Sequence, residues 1–287
     1  MLIYIMNLKL IMTMSIVLIF FASNSLLNRA ALSNNFIDPY SFTFFRLLSG
    51  AIVLTILIYF KNKKLNINIK NNWLSSFMLF VYAITHSYAY INLNAGIGAL
   101  ILFAIVQITL IIFALVYKEK LSIMKMFGLL ISFNGLVYLL YPKDNFELSL
   151  FHASLMMLAG VAWGVYTILG KNSKNATVHT ADNFIKSLVY AALFYLLFVD
   201  SVYFNTDGVL LAIFSGGITS ALGYSLWYYV LPKISIITSG VFQLLVPPIA
   251  IVLSLLLLAE PINMVIILSI FVILGGILIT ILSSKVN

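Results

Sequence analysis

Between Lys70 and Lys118 the chain carries no Asp, Glu, Lys or Arg. About 20 apolar residues cross a hydrocarbon layer of roughly 30 Å, so this one stretch is long enough to cross twice. The rest of the chain follows the same pattern: 63% of its residues are hydrophobic and 8% charged. A soluble domain is roughly half apolar and about a quarter charged, and a water-facing fold of this length has nowhere to bury the difference. The expected class is an all-α integral membrane protein whose solvent is lipid. The absence of cysteine excludes a disulfide framework, a thiolate metal site and a cysteine nucleophile.

Cutting the chain at charges and turn-prone residues predicts ten transmembrane helices, at roughly 9–28, 40–60, 73–93, 97–117, 124–141, 150–170, 183–200, 208–230, 234–258 and 262–283. Spans three and four are divided at Asn92, Asn94, Gly96 and Gly98, where turn residues cluster. The first run, after Lys9, is longer than a signal-peptide core and lacks a small-x-small cleavage site, so it reads as a retained helix.

Basic residues set the orientation. With the N-terminus inside, Lys9, Lys61, Lys63, Lys64, Lys70, Lys118, Lys120, Lys125, Lys171, Lys174, Lys186, Lys233 and Lys285 fall on the cytoplasmic side, and only Arg29, Arg46 and Lys143 outside. That is the positive-inside bias. It accounts for the net charge of +8 without a nucleic-acid partner, and it places both termini in the cytoplasm. The expected setting is a bacterial cell inner membrane.

An internal repeat appears when the second half is shifted by about 141 residues. Phe21 then meets Trp163, Arg29 meets Lys171, Arg46 falls near Lys186, Glu119 falls on Glu260, and Gly135 falls on Gly276. Five spans per copy require the second to enter from the opposite side. The expectation is two inverted five-helix repeats, at 1–142 and 148–287, the design of many secondary transporters that rock about a midplane site.

The residues also resemble a known family. Gly223-Tyr224-Ser225-Leu226-Trp227-Tyr228-Tyr229-Val230-Leu231 resembles the eighth helix of EamA-type transporters of the drug/metabolite transporter superfamily. Ser239 through Pro247, with the apolar run ending at Glu260, resembles the ninth. Ala22-Ser23-Asn24 through Arg29, Pro39 with Phe45-Arg46, and Leu102-Phe103-Ala104 through Glu119 resemble the first, second and fourth. Where the first copy of such proteins often has a proline matching Pro247, this chain has Val106-Gln107, so a straighter fourth helix is expected. The resemblance implies a cavity surrounded by helices one, three, four, six, eight and nine.

Polar side chains inside spans face protein or a water-filled path. The candidates for binding a substrate are Asn24 and Asn28, His86 and Tyr90, Gln107, Trp163 with Tyr166, Tyr224 with Trp227, and Gln243. Several pairs stand three or four residues apart, on one helix face. Together they describe an aromatic pocket with amide and hydroxyl groups to orient a solute. The bland readings are weighed beside these. Asn24 can serve as glue between helices, His86 as a packing histidine, and Tyr228 and Tyr229 as interfacial residues. Arg46, Glu119, Pro247, Pro248 and Glu260 are expected to be structural or gating. Arg46 would hold the outer end of helix two by pairing with Asp38 or Glu260, and Pro247-Pro248 would break helix nine.

The sequence offers no carboxylate near the middle of a predicted span, no phosphate-binding loop and no metal cluster, so no enzyme activity and no cofactor are expected. The expected function is secondary transport of a small metabolite, an amino acid or related compound, by alternating access and in the export direction. The partners expected are that solute and the bilayer, with the chain a monomer or homodimer. An importer or exchanger of a nucleotide-derived metabolite such as S-adenosylmethionine is the alternative carrier, and a non-transporting assembly factor the alternative of another class.

Overall fold

The computed structural model describes residues 8–62, 72–117, 122–140, 148–171 and 173–283. Glu119 lies outside the described residues. So do Lys63, Lys64, Lys70, Lys118, Lys120, Lys143 and Lys285 of the orientation count.

The described residues are helical throughout, without a strand; Ile37 and Phe204 form one isolated bridge. In chain order the helices are α1 (Leu8–Ser33), α2 (Pro39–Asn62), α3 (Trp73–Ala89), α4 (Ala95–Val116), α5 (Ile123–Leu140), α6 (Leu150–Gly170), α7 (Ala176–Phe198), α8 (Thr206–Lys233), α9 (Ile236–Leu258) and α10 (Met264–Leu282). Among the described residues seven are long and apolar enough to cross a membrane, namely α1, α2, α4, α6, α7, α8 and α9. Large apolar side chains such as Phe60, Val116, Leu196, Leu257 and Phe271 point outward, as a lipid-facing surface requires.

Two helices depart from regularity, each for a local reason. In α9 the first half ends at Gln243 and the second begins at Val246. Pro247 and Pro248 lack the N–H groups that would bond back one turn, so the ladder stops where they stand. By contrast α4, with Gln107 at the position of the missing proline, runs unbroken from Ala95 to Val116. In α8 a π-helical turn, Ser215–Ser220, joins Thr206–Phe214 to Ala221–Val230; such turns often mark functional sites. Nothing in the hydropathy of Ser215-Gly216-Gly217-Ile218-Thr219-Ser220 distinguishes it from α-helix.

Lipid tails are as apolar as leucine, so helices here associate through close packing and hydrogen bonds rather than hydrophobic burial. Small residues make the close crossings. Gly128 of α5 and Gly276 of α10 each meet the other's carbonyl, and Gly160 and Gly164 of α6 receive Ile105 and Thr109 of α4. Gly216 of α8 lies against the Arg46 carbonyl and Ser49 hydroxyl of α2. A methyl group there has no room, so Gly216→Ala is expected to cost about 1–3 kcal/mol through overpacking. The check is a lowered thermal midpoint in detergent, against an unchanged midpoint for Gly275→Ala, where a methyl group meets nothing.

The packing has a recurrent order. α3 packs on α6 as α8 packs on α1, α4 on α6 as α9 on α1, and α3 on α7 as α8 on α2. α2 packs on α7, α4 on α9 and α5 on α10. Exchanging the first five helices for the last five reproduces the list.

Candidate functional site

Aromatic rings from five helices, α1, α3, α4, α6 and α8, converge on Phe21 and Trp163. These two repeat-related residues touch edge to face, with centroids 5.3 Å apart and planes at 89°. Phe21 also packs on Phe103, Tyr224 and Trp227. Trp163 packs on Tyr82 at 4.9 Å, Tyr224 at 4.7 Å and Tyr166 at 5.5 Å. The indole N–H of Trp163 donates to Gln243 Oε1 at 2.6 Å, and Gln243 Nε2 donates to the Ser239 carbonyl. The cluster is closed: Trp163, Tyr224, Trp227 and Tyr82 are each at most 4% exposed. A solute reaches these rings only when helices separate.

Of the predicted substrate-binding residues, Trp163, Tyr166, Tyr224, Trp227 and Gln243 lie in this cluster, and His86 borders it on the Tyr82 ring at 5.2 Å. The other four make other contacts. Asn24 Oδ1 accepts from three hydroxyls of α8, Ser215, Thr219 and Ser220, at 2.6–3.1 Å; the π turn brings all three to one face. Asn28 bonds the Asn24 carbonyl and Ser87, and Tyr90 closes the α3–α4 turn by donating to the Ala95 carbonyl. Gln107 lies against Gly240 of α9. Sequence reasoning missed Phe21, Phe103 and Tyr82.

Three expectations need correction. Arg46 does not hold the outer end of α2 through a carboxylate. It is 1% exposed and donates to Ser220 Oγ (3.0 Å), Tyr82 Oη (3.2 Å) and Tyr224 Oη (2.7 Å). Asp38 instead accepts from the Ser41 and Tyr203 backbone, and Glu260 pairs with Arg29. The reason is depth: Arg46 lies two turns inside α2, where only the hydroxyls of α3 and α8 can reach it. Second, α7 begins at Ala176 rather than 183, so Asp182 and Lys186 lie within a span, buried and paired at 2.8 Å. With Arg46 and Lys186 removed from the loop count, the basic bias keeps its sign. Third, Tyr228 is buried, its hydroxyl on the Tyr166 carbonyl; Tyr229, beneath Lys233, is the exposed one.

Repeat-related clasps close the two ends of the bundle. At one end Ala259 adopts a left-handed backbone (φ 51°) that ends α9 and turns Glu260 toward α4. Glu260 then accepts from Arg29 Nε at 2.9 Å and from the Ala95 N–H at 2.8 Å, a carboxylate at a helix N-terminus, where it is favoured. Arg29 Nη1 donates to the Tyr90 and Ile91 carbonyls of the α3–α4 turn. Lys171, the repeat partner of Arg29, donates to the Leu231 and Ile234 carbonyls of the α8–α9 turn. Asn92 in the first turn lies 3.2 Å from His152 at the start of α6, whereas Lys171 follows the end of α6. The clasps are therefore at opposite ends, with the ring cluster between them.

A multi-pass, all-helical membrane protein with a closed aromatic core and a polar clasp at either end is the class these features define. The EamA-like transporter family matches residues 8–141 and again 150–282. The chain belongs to that family, within the drug/metabolite transporter superfamily, and its function is that of an EamA-family transporter. An uncharacterised protein of Pseudomonas aeruginosa is 41% identical over 84% of this chain and 83% of its own length. An uncharacterised transporter of Archaeoglobus fulgidus is 27% identical over 74% of this chain and 76% of its own. The uncharacterised transporter YoaV of Bacillus subtilis is 23% identical over 84% and 86%. One crystal structure superposes with a TM-score of 0.70 at 17% identity, covering 95% of this chain and 98% of that chain; the likeness is one of fold.

Proposed function

We propose that this chain moves a small metabolite, an amino acid or related compound, across a bacterial inner membrane by alternating access, in the export direction. Ten spans, arranged as inverted repeats 1–142 and 148–287 with both termini cytoplasmic, form the scaffold of this reading. The exchange of packing partners between the two halves supports it. The observation that carries it is the pair of repeat-related clasps, Arg29 on one turn and Lys171 on the other, with the ring cluster closed between them. Opening one clasp while the other holds exposes the rings to one side at a time. Pro247-Pro248 supply a break in α9 below Glu260 at which such a motion hinges.

The test is thermal unfolding of the detergent-purified protein against amino acids, S-adenosylmethionine, nucleotide sugars and aromatic cations. A solute at 100 times its dissociation constant stabilises the bound state by about 2.7 kcal/mol. A shift with one class names the solute and separates the amino-acid reading from the nucleotide-derived one. No shift with any member, joined to no flux in liposomes, favours an assembly factor.

A further inference from the structure

The geometry points to Arg46 as the binding site for a solute carboxylate, an assignment that rests on the transport reading above and narrows the cargo to monocarboxylates with an apolar or aromatic body. A cation buried in the membrane is retained only where something compensates it. Arg46 has three neutral hydroxyls and the face of the Tyr82 ring, 5.3 Å away. Its Nη1 is buried and has no hydrogen-bond partner among the described residues. None of the acidic residues there bonds it: Asp38 and Glu260 are engaged elsewhere, Asp182 is paired with Lys186, and Asp200 and Asp207 are exposed.

The repeat supplies a contrast within the same molecule. Lys186 stands in α7 where Arg46 stands in α2, and its charge is met by Asp182 four residues earlier. Four residues before Arg46 is Phe42, fully buried and apolar. One copy of the repeat thus carries its own carboxylate and the other leaves the position to be filled from outside the chain.

What surrounds Arg46 suits such a group. Tyr224 and Tyr82, which it bonds, are also the rings that pack on Trp163, so an anion at Nη1 places its attached body among the cluster. His86 packs on Tyr82, and neither of its ring nitrogens has a partner among the described residues. One guanidinium matches one carboxylate in charge and planar geometry; a phosphate monoester brings up to two charges to the same single cation.

The experiment compares carboxylates with their carboxamides in the purified full-length protein, by thermal shift and by flux into liposomes. The probes are graded alkanoates, 3-phenylpropionate, indole-3-acetate, phenylalanine and tryptophan, each with its amide, and phenyl phosphate as the phosphate arm. At least one carboxylate is expected to bind tenfold or more tightly than its amide. Arg46→Lys should keep that preference and Arg46→Gln should lose it. Phe42→Asp, which leaves Arg46 in place and supplies the missing carboxylate, should lose it too, so the test does not hang on one variant's folding. Equal binding of acids and amides by the wild type, a preference that survives Arg46→Gln, binding of phenyl phosphate alone, or no carboxylate bound at all overturns the assignment. If a neutral probe is still carried, the transport reading stands while this one falls. If no solute of any charge crosses, the transport reading falls with it.

Discussion

Replacing Trp163 by alanine is expected to abolish solute-dependent stabilisation and to lower the intrinsic stability of the bundle. Trp163 touches Phe21, Tyr82, Tyr166 and Tyr224 at centroid distances of 4.7–5.5 Å and is 2% exposed. Removing a buried ring of this size costs about 3–5 kcal/mol. The same change leaves Gln243 Oε1 without its indole donor. Trp163→Phe separates the two contributions: a ring remains for stacking, but a buried acceptor loses its partner, at about 1–3 kcal/mol. The expected order of thermal midpoints without solute is wild type, then Phe, then Ala. The solute-induced shift should vanish in Ala and persist, reduced, in Phe. A solute shift of full size in Trp163→Ala would move the binding site away from the rings.

The second large effect concerns access. The chain has no cysteine, so a single engineered thiol reports its own exposure. Ser25 and Thr167 stand four residues before Arg29 and Lys171, related by the repeat and each nearly or fully buried. Ser25→Cys and Thr167→Cys are expected to react slowly with a membrane-impermeant maleimide in the parent protein. Adding Glu260→Gln removes the charge that holds Arg29 and weakens the cap on α4, so the Ser25→Cys thiol should react at least tenfold faster. The Thr167→Cys thiol, behind the intact Lys171 clasp, should react no faster and preferably slower. If both thiols respond alike, Glu260 is a stabilising cap of the whole bundle and not part of a one-sided gate.

Much of the scaffold was legible because a lipid solvent writes it in plain terms. Length and lack of charge located the helices to within a few residues at most ends. The exception, α7, is instructive: the predicted span starts at 183, just after the charge of Asp182, but Asp182 lies one turn before Lys186 and pairs with it inside the helix. The proline pair located the break in α9 because missing N–H groups have only one consequence in a helix. The π turn of α8 left no such mark: its three hydroxyls meet Asn24 of another helix, a partner that the local sequence does not reveal.

The ring cluster was legible in five of its eight members. Trp163, Tyr166, Tyr224, Trp227 and Gln243 drew notice because they are amphipathic in an apolar span. Phe21 and Phe103 have no polar atom and gave no signal beyond the repeat offset that matched Phe21 to Trp163. Tyr82 was within reach, since it lies one turn before His86 on the face already chosen. Arg46 was misread because a cation in a span was assumed to need a carboxylate of the chain, and only the three-dimensional arrangement places hydroxyls alone around it. Asn28 and Tyr90 illustrate the converse: in lipid, polar side chains join helices as readily as they line a path.

The most direct test of the central claim is flux in liposomes containing the purified protein. A solute that raises the thermal midpoint is trapped inside unlabelled, and its labelled form is supplied outside. Transport by a closed cluster between two clasps predicts saturable counterflow by the wild type and none by Trp163→Ala. Binding without counterflow, or counterflow undiminished in Trp163→Ala, would contradict it.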